Sequence, residues 1–116
     1  MIERANELLH TVLQCLSDIS LHYYYGAGIL SAVLRGESEN DKRIKARGLD
    51  KVSGYGKLAN LSAVQVADVI DWAISQKYIL RTKAQYPVLH PTYEGTHYSE
   101  SISLAKLRSL LNSIPD

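Results

Sequence analysis

The spacing of apolar residues limits the possible folds most, because it changes along the chain from helical to extended and back to helical. Near the N-terminus it predicts a first helix over residues 3–20, where seven apolar residues recur at helical spacing: Ala5, Leu8, Leu9, Val12, Leu13, Leu16 and Ile19. A second helix is expected through Ile29 to Leu34, and its end is expected near Gly36, since glycine commonly terminates helices. The chain therefore begins with two amphipathic helices.

Two further helices are predicted in the middle of the chain. A polar residue at 40–41 can cap a short basic helix over residues 42–47, and Gly48 can end that helix. Ser62 opens the clearest helix, because Ser62 and Gln65 have the spacing of a capping box. The apolar stripe of this helix consists of Val66, Val69, Ile70, Ala73 and Ile74.

The remaining chain predicts a hairpin and a last helix. Two short extended runs, Tyr78–Thr82 and Val88–Thr92, are joined by residues 83–87, and Pro87 suits the start of an edge strand. A final amphipathic helix is expected on the spacing of Ile102, Leu104, Leu107, Leu110, Leu111 and Ile114. Helices followed by a two-stranded hairpin form the winged-helix plan, a helix-turn-helix core with a β-wing. The predicted fold class is therefore mainly α with a small β-hairpin.

Basic residues are concentrated in one segment of an almost neutral chain. Residues 42–57 hold six basic residues and one acid, so this segment carries +5, whereas the whole chain carries only +1. The basic residues are Lys42, Arg43, Lys45, Arg47, Lys51 and Lys57. A local concentration of this kind indicates a polyanion site, and a solvated helix face with a loop is an equally good interpretation of charge alone.

The sequence contains no motif that indicates a catalytic or metal centre. It has neither the GxxxxGK[ST] phosphate loop nor the dinucleotide-binding GxGxxG, and its four histidines lack metal-type spacing and cysteine partners. The single cysteine, Cys15, falls among core-spaced residues and is interpreted as a small buried hydrophobe. Neither a signal peptide nor a membrane-spanning run is present, so an intracellular location is expected.

The aromatic residues allow more than one interpretation. Residues 23–25 are three consecutive tyrosines, for which a core or domain-contact role is favoured over base stacking. Trp72 lies off the main stripe of the Ser62 helix and could contact the hairpin or a neighbouring domain. Tyr86 falls at the predicted hairpin tip, where an aromatic ring has no evident core to join. It could pack against a neighbouring domain, or it could be a wedge that stacks on a terminal base pair.

Several short motifs, taken in order, resemble the RQC domain of RecQ-family DNA helicases. They are Tyr25-Gly26-Ala27-Gly28, Val33-Leu34-Arg35-Gly36, Lys42-Arg43-Ile44, Gly48, Asp50-Lys51, Tyr55-Gly56 and Ala84-Gln85-Tyr86. The resemblance covers roughly residues 8–98 and implies a winged helix that follows the two motor lobes and a zinc-binding segment. The loop over residues 37–41 is longer and more acidic than the family pattern, and Leu58 replaces a common second glycine.

The resemblance also implies which residues act. Tyr86 would be the strand-separating wedge, and the expected DNA-phosphate contacts are Arg35, Lys42, Arg43 and Ser62, with Lys45 and Lys51 added from the basic segment. Double-stranded and forked DNA would be the partners, together with the motor and zinc-binding segments of the same parent protein. ATP, Mg²⁺ and a structural Zn²⁺ would belong to that parent, an enzyme of DNA repair, recombination and replication in the bacterial cytoplasm, associated with the nucleoid. The domain itself would carry no cofactor.

Two other functions and one boundary stay open. A winged helix of this kind could instead dock a protein partner through Trp72 and the tyrosines. A transcriptional regulator reading bases through the Ser62 helix is less favoured, because its first turns, with Val64, Gln65 and Val66, lack the Arg or Asn pairs that usually read base edges. The expected domain is residues 1–98. Residues 99–116 would be either its closing helix or the start of a linker to a following domain.

Overall fold

A computed structural model describes residues 2–97 and 104–114 of the chain. Within these ranges, helices enclose a core and one antiparallel hairpin projects from it, which confirms the predicted winged-helix fold class. The helices are α1 (Ile2–Ile19), α2 (Ala27–Arg35), α3 (Lys42–Ala46), a 3-10 helix (Leu49–Lys51), α4 (Ala63–Ser75), α5 (Tyr93–Thr96) and α6 (Leu104–Ser113). The strands are β1 (Ile79–Arg81) and β2 (Leu89–Pro91).

The core lies where α1, α2 and α4 meet. All seven apolar residues that predicted α1 are buried, as are four of the five in the stripe of α4. The helix α6 packs against α1 and α4 and adds Leu107 and Leu110 to the same core. Trp72 is buried beneath it, where its indole Nε1 donates to Ser109 Oγ at 3.1 Å. The part of α4 that carries Trp72, outside its sequence stripe, is therefore also covered.

The C-terminal end of α2 is fixed by amides from a distant loop. A helix leaves its last carbonyls without partners in the helix. The amides of Gly36 and Glu37 bond to the carbonyls of Val33 and Ala32, and Gly36 adopts the left-handed conformation with φ of 72°. From the loop before α4, the Gly56 amide bonds to the Val33 carbonyl at 2.9 Å.

A second amide of that loop bonds to the same helix end, because Leu58 N–H donates to the Leu34 carbonyl at 2.8 Å. The loop comes so close that a Cβ on Gly36 would lie 3.1 Å from the Cα of Gly56. Glycine therefore suits position 36 both in conformation and in space. The loop is held in place, and with it the start of α4.

The hairpin is shorter than predicted but has the expected topology. The strands pair antiparallel with Leu80 opposite His90. The pairing continues one step further, because Thr82 N–H donates to the Val88 carbonyl and Val88 N–H donates to Thr82 Oγ1. Ile79 and Leu89 are buried against the helices, which anchor the wing.

Other sequence expectations need correction. The 3-10 helix and α5 were not expected, because each is too short to show a period. The core interpretation is wrong for Tyr23 and Tyr24, which are 62% and 51% exposed, and only Tyr25 packs against the core. The expected helix start at Ile102 and the boundary at residues 98 and 99 lie outside the described residues.

Gly95 provides a test of the packing beneath α5. It is buried, and a Cβ at this position would collide with the backbone carbonyl of Tyr78. Because backbone atoms cannot move aside as a side chain can, Gly95→Ala should lower the free energy of unfolding by about 1–3 kcal/mol. Urea unfolding monitored by circular dichroism measures the change.

Gly28→Ala is the matched control for this substitution. Gly28 lies in α2, and no atom lies within 4 Å of the Cβ it would acquire. Alanine is the better helix former, so this variant should gain up to about 1 kcal/mol. A Gly95→Ala protein as stable as Gly28→Ala would contradict the packing described for α5.

Candidate nucleic-acid interface

Arg35, predicted as a phosphate contact, is engaged within the domain. Its Nε donates to the Leu61 carbonyl at 3.0 Å, and its Nη1 donates to Glu37 Oε1 at 2.8 Å. The side chain is 24% exposed. Arg35 thus links the end of α2 to the residue that precedes Ser62, while Glu37 neutralises much of its charge.

The basic helix α3 begins at a charged cap. The carboxylate of Asp41 accepts from the backbone N–H of Arg43 at 3.0 Å, so Asp41 is the cap that the sequence left open between two residues. The Arg43 guanidinium also donates to both carboxylate oxygens of Asp41, at 3.0 and 2.7 Å. These hydrogen bonds from Arg43 hold the pKa of Asp41 below its ordinary value.

The acidic loop therefore balances part of the basic charge. Glu37 pairs with Arg35, and Asp41 pairs with Arg43. Lys42, Lys45 and Lys51 are exposed, and none of them has a carboxylate within ion-pair distance among residues 2–97 and 104–114. The three lysines are the site cations whose charge remains fully available to solvent or to a bound anion.

Ser62 caps α4 as its sequence pattern predicted. Its Oγ accepts from the Gln65 N–H at 3.1 Å, while Gln65 Oε1 accepts from the Ser62 N–H at 2.9 Å. Both parts of the capping box are present, and Ser62 is exposed together with Val64. The first turn of α4 therefore faces solvent with its helix dipole directed outward, a geometry that suits an anion.

Short bonds bring the starts of α3 and α4 to one corner. The Asp41 N–H donates to the Glu37 carbonyl, and Glu37 pairs with Arg35, which bonds to Leu61 directly before Ser62. We call the surface along this chain of bonds the corner: Arg35 lies within it, Lys42 and Arg43 are at its α3 end, and Ser62 is at its α4 end. Lys45 and Lys51 continue the basic surface along α3 and the 3-10 helix.

The wing presents Tyr86 at its tip. Tyr86 is 80% exposed, the highest value among the large hydrophobic residues whose exposure the structure describes. The neighbouring residues 83–87 are also exposed, so the tip has no packing of its own. The expectation that Tyr86 lies at the exposed end of a hairpin is confirmed.

Arg47 is a feature of this surface that sequence reasoning did not single out. Its guanidinium carbon lies 5.4 Å from the centroid of the Tyr23 ring and 5.8 Å from that of Tyr25. These are cation–π distances, so two aromatic rings hold the cation in position. Arg47 was counted in the basic segment, and the adjacency of residues 23–25 to it is visible only in three dimensions.

The remaining reactive side chains do not form a chemical centre. Cys15 is buried as predicted, and burial raises the pKa of its thiol to about 12, so it carries no thiolate at neutral pH. Within the described residues, no three histidine, cysteine, aspartate or glutamate side chains come together as metal ligands. No helix in those ranges has the length and apolar character needed to cross a bilayer.

Comparison with known proteins agrees with this architecture. A family model described as the RQC domain matches residues 4–109. The match begins in the first turns of α1 and extends into α6, so it is longer at both ends than the resemblance seen in the motifs. A search of curated proteins found no significant match.

Substitutions at Ser62 test the cap. Ser62→Ala removes the acceptor for the Gln65 N–H, so the free energy of unfolding should fall by about 1 kcal/mol. Ser62→Asp keeps an acceptor at the cap and should retain most of the parent stability. Thermal unfolding of both variants and of the parent measures the differences in melting temperature. Equal melting temperatures for Ser62→Ala and the parent would contradict the capping role.

Proposed function

The chain belongs to the RQC family, the non-catalytic accessory domain of RecQ-type helicases, and we propose that it grips duplex DNA ahead of a fork and separates the strands. The observation that carries this proposal is the corner, which has exposed lysines at its α3 end and an exposed helix N-terminus at its α4 end. Phosphates are bound by such cations and helix N-termini without regard to base sequence.

The charges of the corner point to moderate, salt-sensitive binding. Acids already pair with Arg35 and Arg43, so Lys42, Lys45 and Lys51 carry most of the attraction for phosphate. Each phosphate neutralised by a lysine releases counterions, which makes affinity fall as salt rises. Ser62 would add a neutral contact at the start of α4. Arg35 would contribute chiefly by holding Ser62 in place.

The wing would act where the duplex opens. Tyr86 has a large exposed face, and the hairpin behind it is anchored by buried residues, so the ring is held at a projecting tip. Stacking of a base on an aromatic ring is worth about 1–3 kcal/mol. That energy would offset much of the cost of opening one base pair. Translocation energy would come from ATP hydrolysis in the motor lobes.

The parent protein would supply the other chemistry. ATP and Mg²⁺ would bind to the motor lobes and Zn²⁺ to the zinc-binding segment, while this domain contributes DNA contacts. Such a helicase would serve DNA repair, recombination and replication in the bacterial cytoplasm, in contact with the nucleoid. The alternative, a protein-docking winged helix, cannot use Trp72 as an anchor, because this residue is 5% exposed and bonded to α6, while the exposed Tyr23 and Tyr24 stay available to it.

Charge reversal on α3 tests the duplex contact. Lys42→Glu should weaken binding to all duplex sequences alike and reduce the slope of log affinity against log salt by about 1. Lys45→Glu should do the same, and both leave the Asp41–Arg43 pair intact. Fluorescence anisotropy at several salt concentrations gives the slopes. Arg108→Glu, an exposed reversal on α6, is the control and should bind as the parent does. Equal behaviour of Lys42→Glu and Arg108→Glu would rule out the α3 contact.

Tyr86→Ala tests the wedge. The ring is exposed, so stability should change by no more than about 0.5 kcal/mol. In the intact helicase the same substitution should slow the unwinding of forked DNA while ATPase activity stays near the parent rate. Tyr86→Phe retains the ring and should unwind normally. Unwinding by Tyr86→Ala at the parent rate would exclude a wedge role.

A further inference from the structure

The chain between α1 and α2 lies beside the wing as an added extended segment. The Leu89 N–H of β2 donates to the Tyr25 carbonyl at 2.8 Å. Successive side chains of an extended chain point to opposite sides. Tyr25 accordingly packs against the core, and Tyr24 lies on the outer side, where its ring contacts His90 of β2.

These contacts create an exposed face at the base of the wing. The ring centroids of Tyr24 and His90 are 3.8 Å apart. Leu80 is opposite His90 in the strand register and so shares its side of the hairpin. Tyr24 is 51% exposed and Leu80 is 57% exposed. We call Tyr24, Leu80 and His90 the wing-base face.

This face does not stabilise the fold through burial. Ile79 and Leu89 already anchor the hairpin from its other side and are almost fully buried. Tyr24 and Leu80 instead leave apolar surface in water, at a place that continues directly from the exposed tip of the same hairpin. The free face of the Tyr24 ring, with Leu80 on the same side of the hairpin, offers a sequence-tolerant surface for stacking of a nucleobase.

A cation lies on the other side of the same extended segment. Arg47 lies over the rings of Tyr23 and Tyr25, the two neighbours of Tyr24 in the chain. The same residues line a cleft of about 740 Å³ at the end of α1, in which Asp18 is the acidic residue. Asp18 accepts hydrogen bonds from Gln14 and Ser53. Aromatic rings combined with a guanidinium are typical of surfaces that bind single strands.

We propose that the wing-base face binds one of the two unpaired strands just behind the fork. A base stacks on the free face of the Tyr24 ring, whose other face is covered by His90. The inference rests on the proposed function, since Tyr86 would create the unpaired strand four residues away along the hairpin, about 13 Å in extended chain. The wing then has two roles. Its tip opens the pair, and its base holds a released strand so that the pair does not close again.

The test compares DNA ends with and without unpaired tails. The substrates are a blunt duplex, the same duplex with a 5′ or a 3′ tail of about ten nucleotides, and the single strand alone, lengths within the range of single-strand binding modules. The parent should bind at least one tailed duplex more tightly than the blunt one. Tyr24→Ala should reduce that gain about fivefold or more, the equivalent of one lost stacking contact, and leave blunt-duplex affinity unchanged. Tyr24→Phe should keep the gain.

Tyr93 offers a matched control. It is 72% exposed and stacks on His97 with centroids 4.0 Å apart, yet it follows β2 at the end of the hairpin away from the tip. Tyr93→Ala should bind every substrate as the parent does. The proposal is overturned if the parent gains nothing from either tail, if Tyr24→Ala keeps the whole gain, or if Tyr93→Ala loses as much.

The same experiment separates this inference from the proposed function. If the blunt duplex binds weakly and its affinity does not change in Lys42→Glu, the result would count against the duplex-gripping role. Binding of the single strand that depends on Tyr24 would still support the wing-base face. Melting temperatures of the Tyr24 variants establish that each is folded, which their exposed position leads us to expect.

Discussion

The arrangement of the domain depends on one constraint: the last backbone carbonyls of α2 need hydrogen-bond donors. These groups cannot stay buried without donors, and the donors come from residues that follow them directly and from the loop before α4. The amides of Gly56 and Leu58 fix that loop, and Arg35 adds a side-chain bond to Leu61. Backbone bonding, together with the hydrophobic core, therefore places the loop before α4 against the C-terminal end of α2.

The wing depends on the body of the domain in a similar way. Two three-residue strands form a marginal hairpin on their own. Burial of Ile79 and Leu89 and the bond from Leu89 to Tyr25 hold them against the helices. A short hairpin anchored at its base can present an exposed ring at the tip without unfolding. The support that the proposed wedge requires would thus come from buried residues at the base of the hairpin.

The balance of acidic and basic side chains sets the strength of the proposed attraction for DNA. Asp41 pairs with Arg43, one of the six basic residues of segment 42–57, and Glu37 pairs with Arg35 outside that segment, so the surface presents less free positive charge than its composition suggests. An accessory domain that must release and rebind the duplex as a motor advances benefits from such moderate, non-specific attraction. The aromatic surfaces add contacts that salt weakens far less than phosphate contacts.

Periodicity, caps and composition in the sequence were enough to predict the main helices, the hairpin, the Ser62 cap, the buried Cys15 and the exposed Tyr86, because each depends on local spacing or on a turn. The 3-10 helix and α5 escaped prediction, since elements of three or four residues have no period. The burial of Trp72 and the exposure of Tyr24 were decided by α6 and β2, which lie far away in the chain. Likewise, the pairing of Arg35 with Glu37 and of Arg43 with Asp41, and the position of Arg47 over two rings, follow from distances that only the folded chain defines.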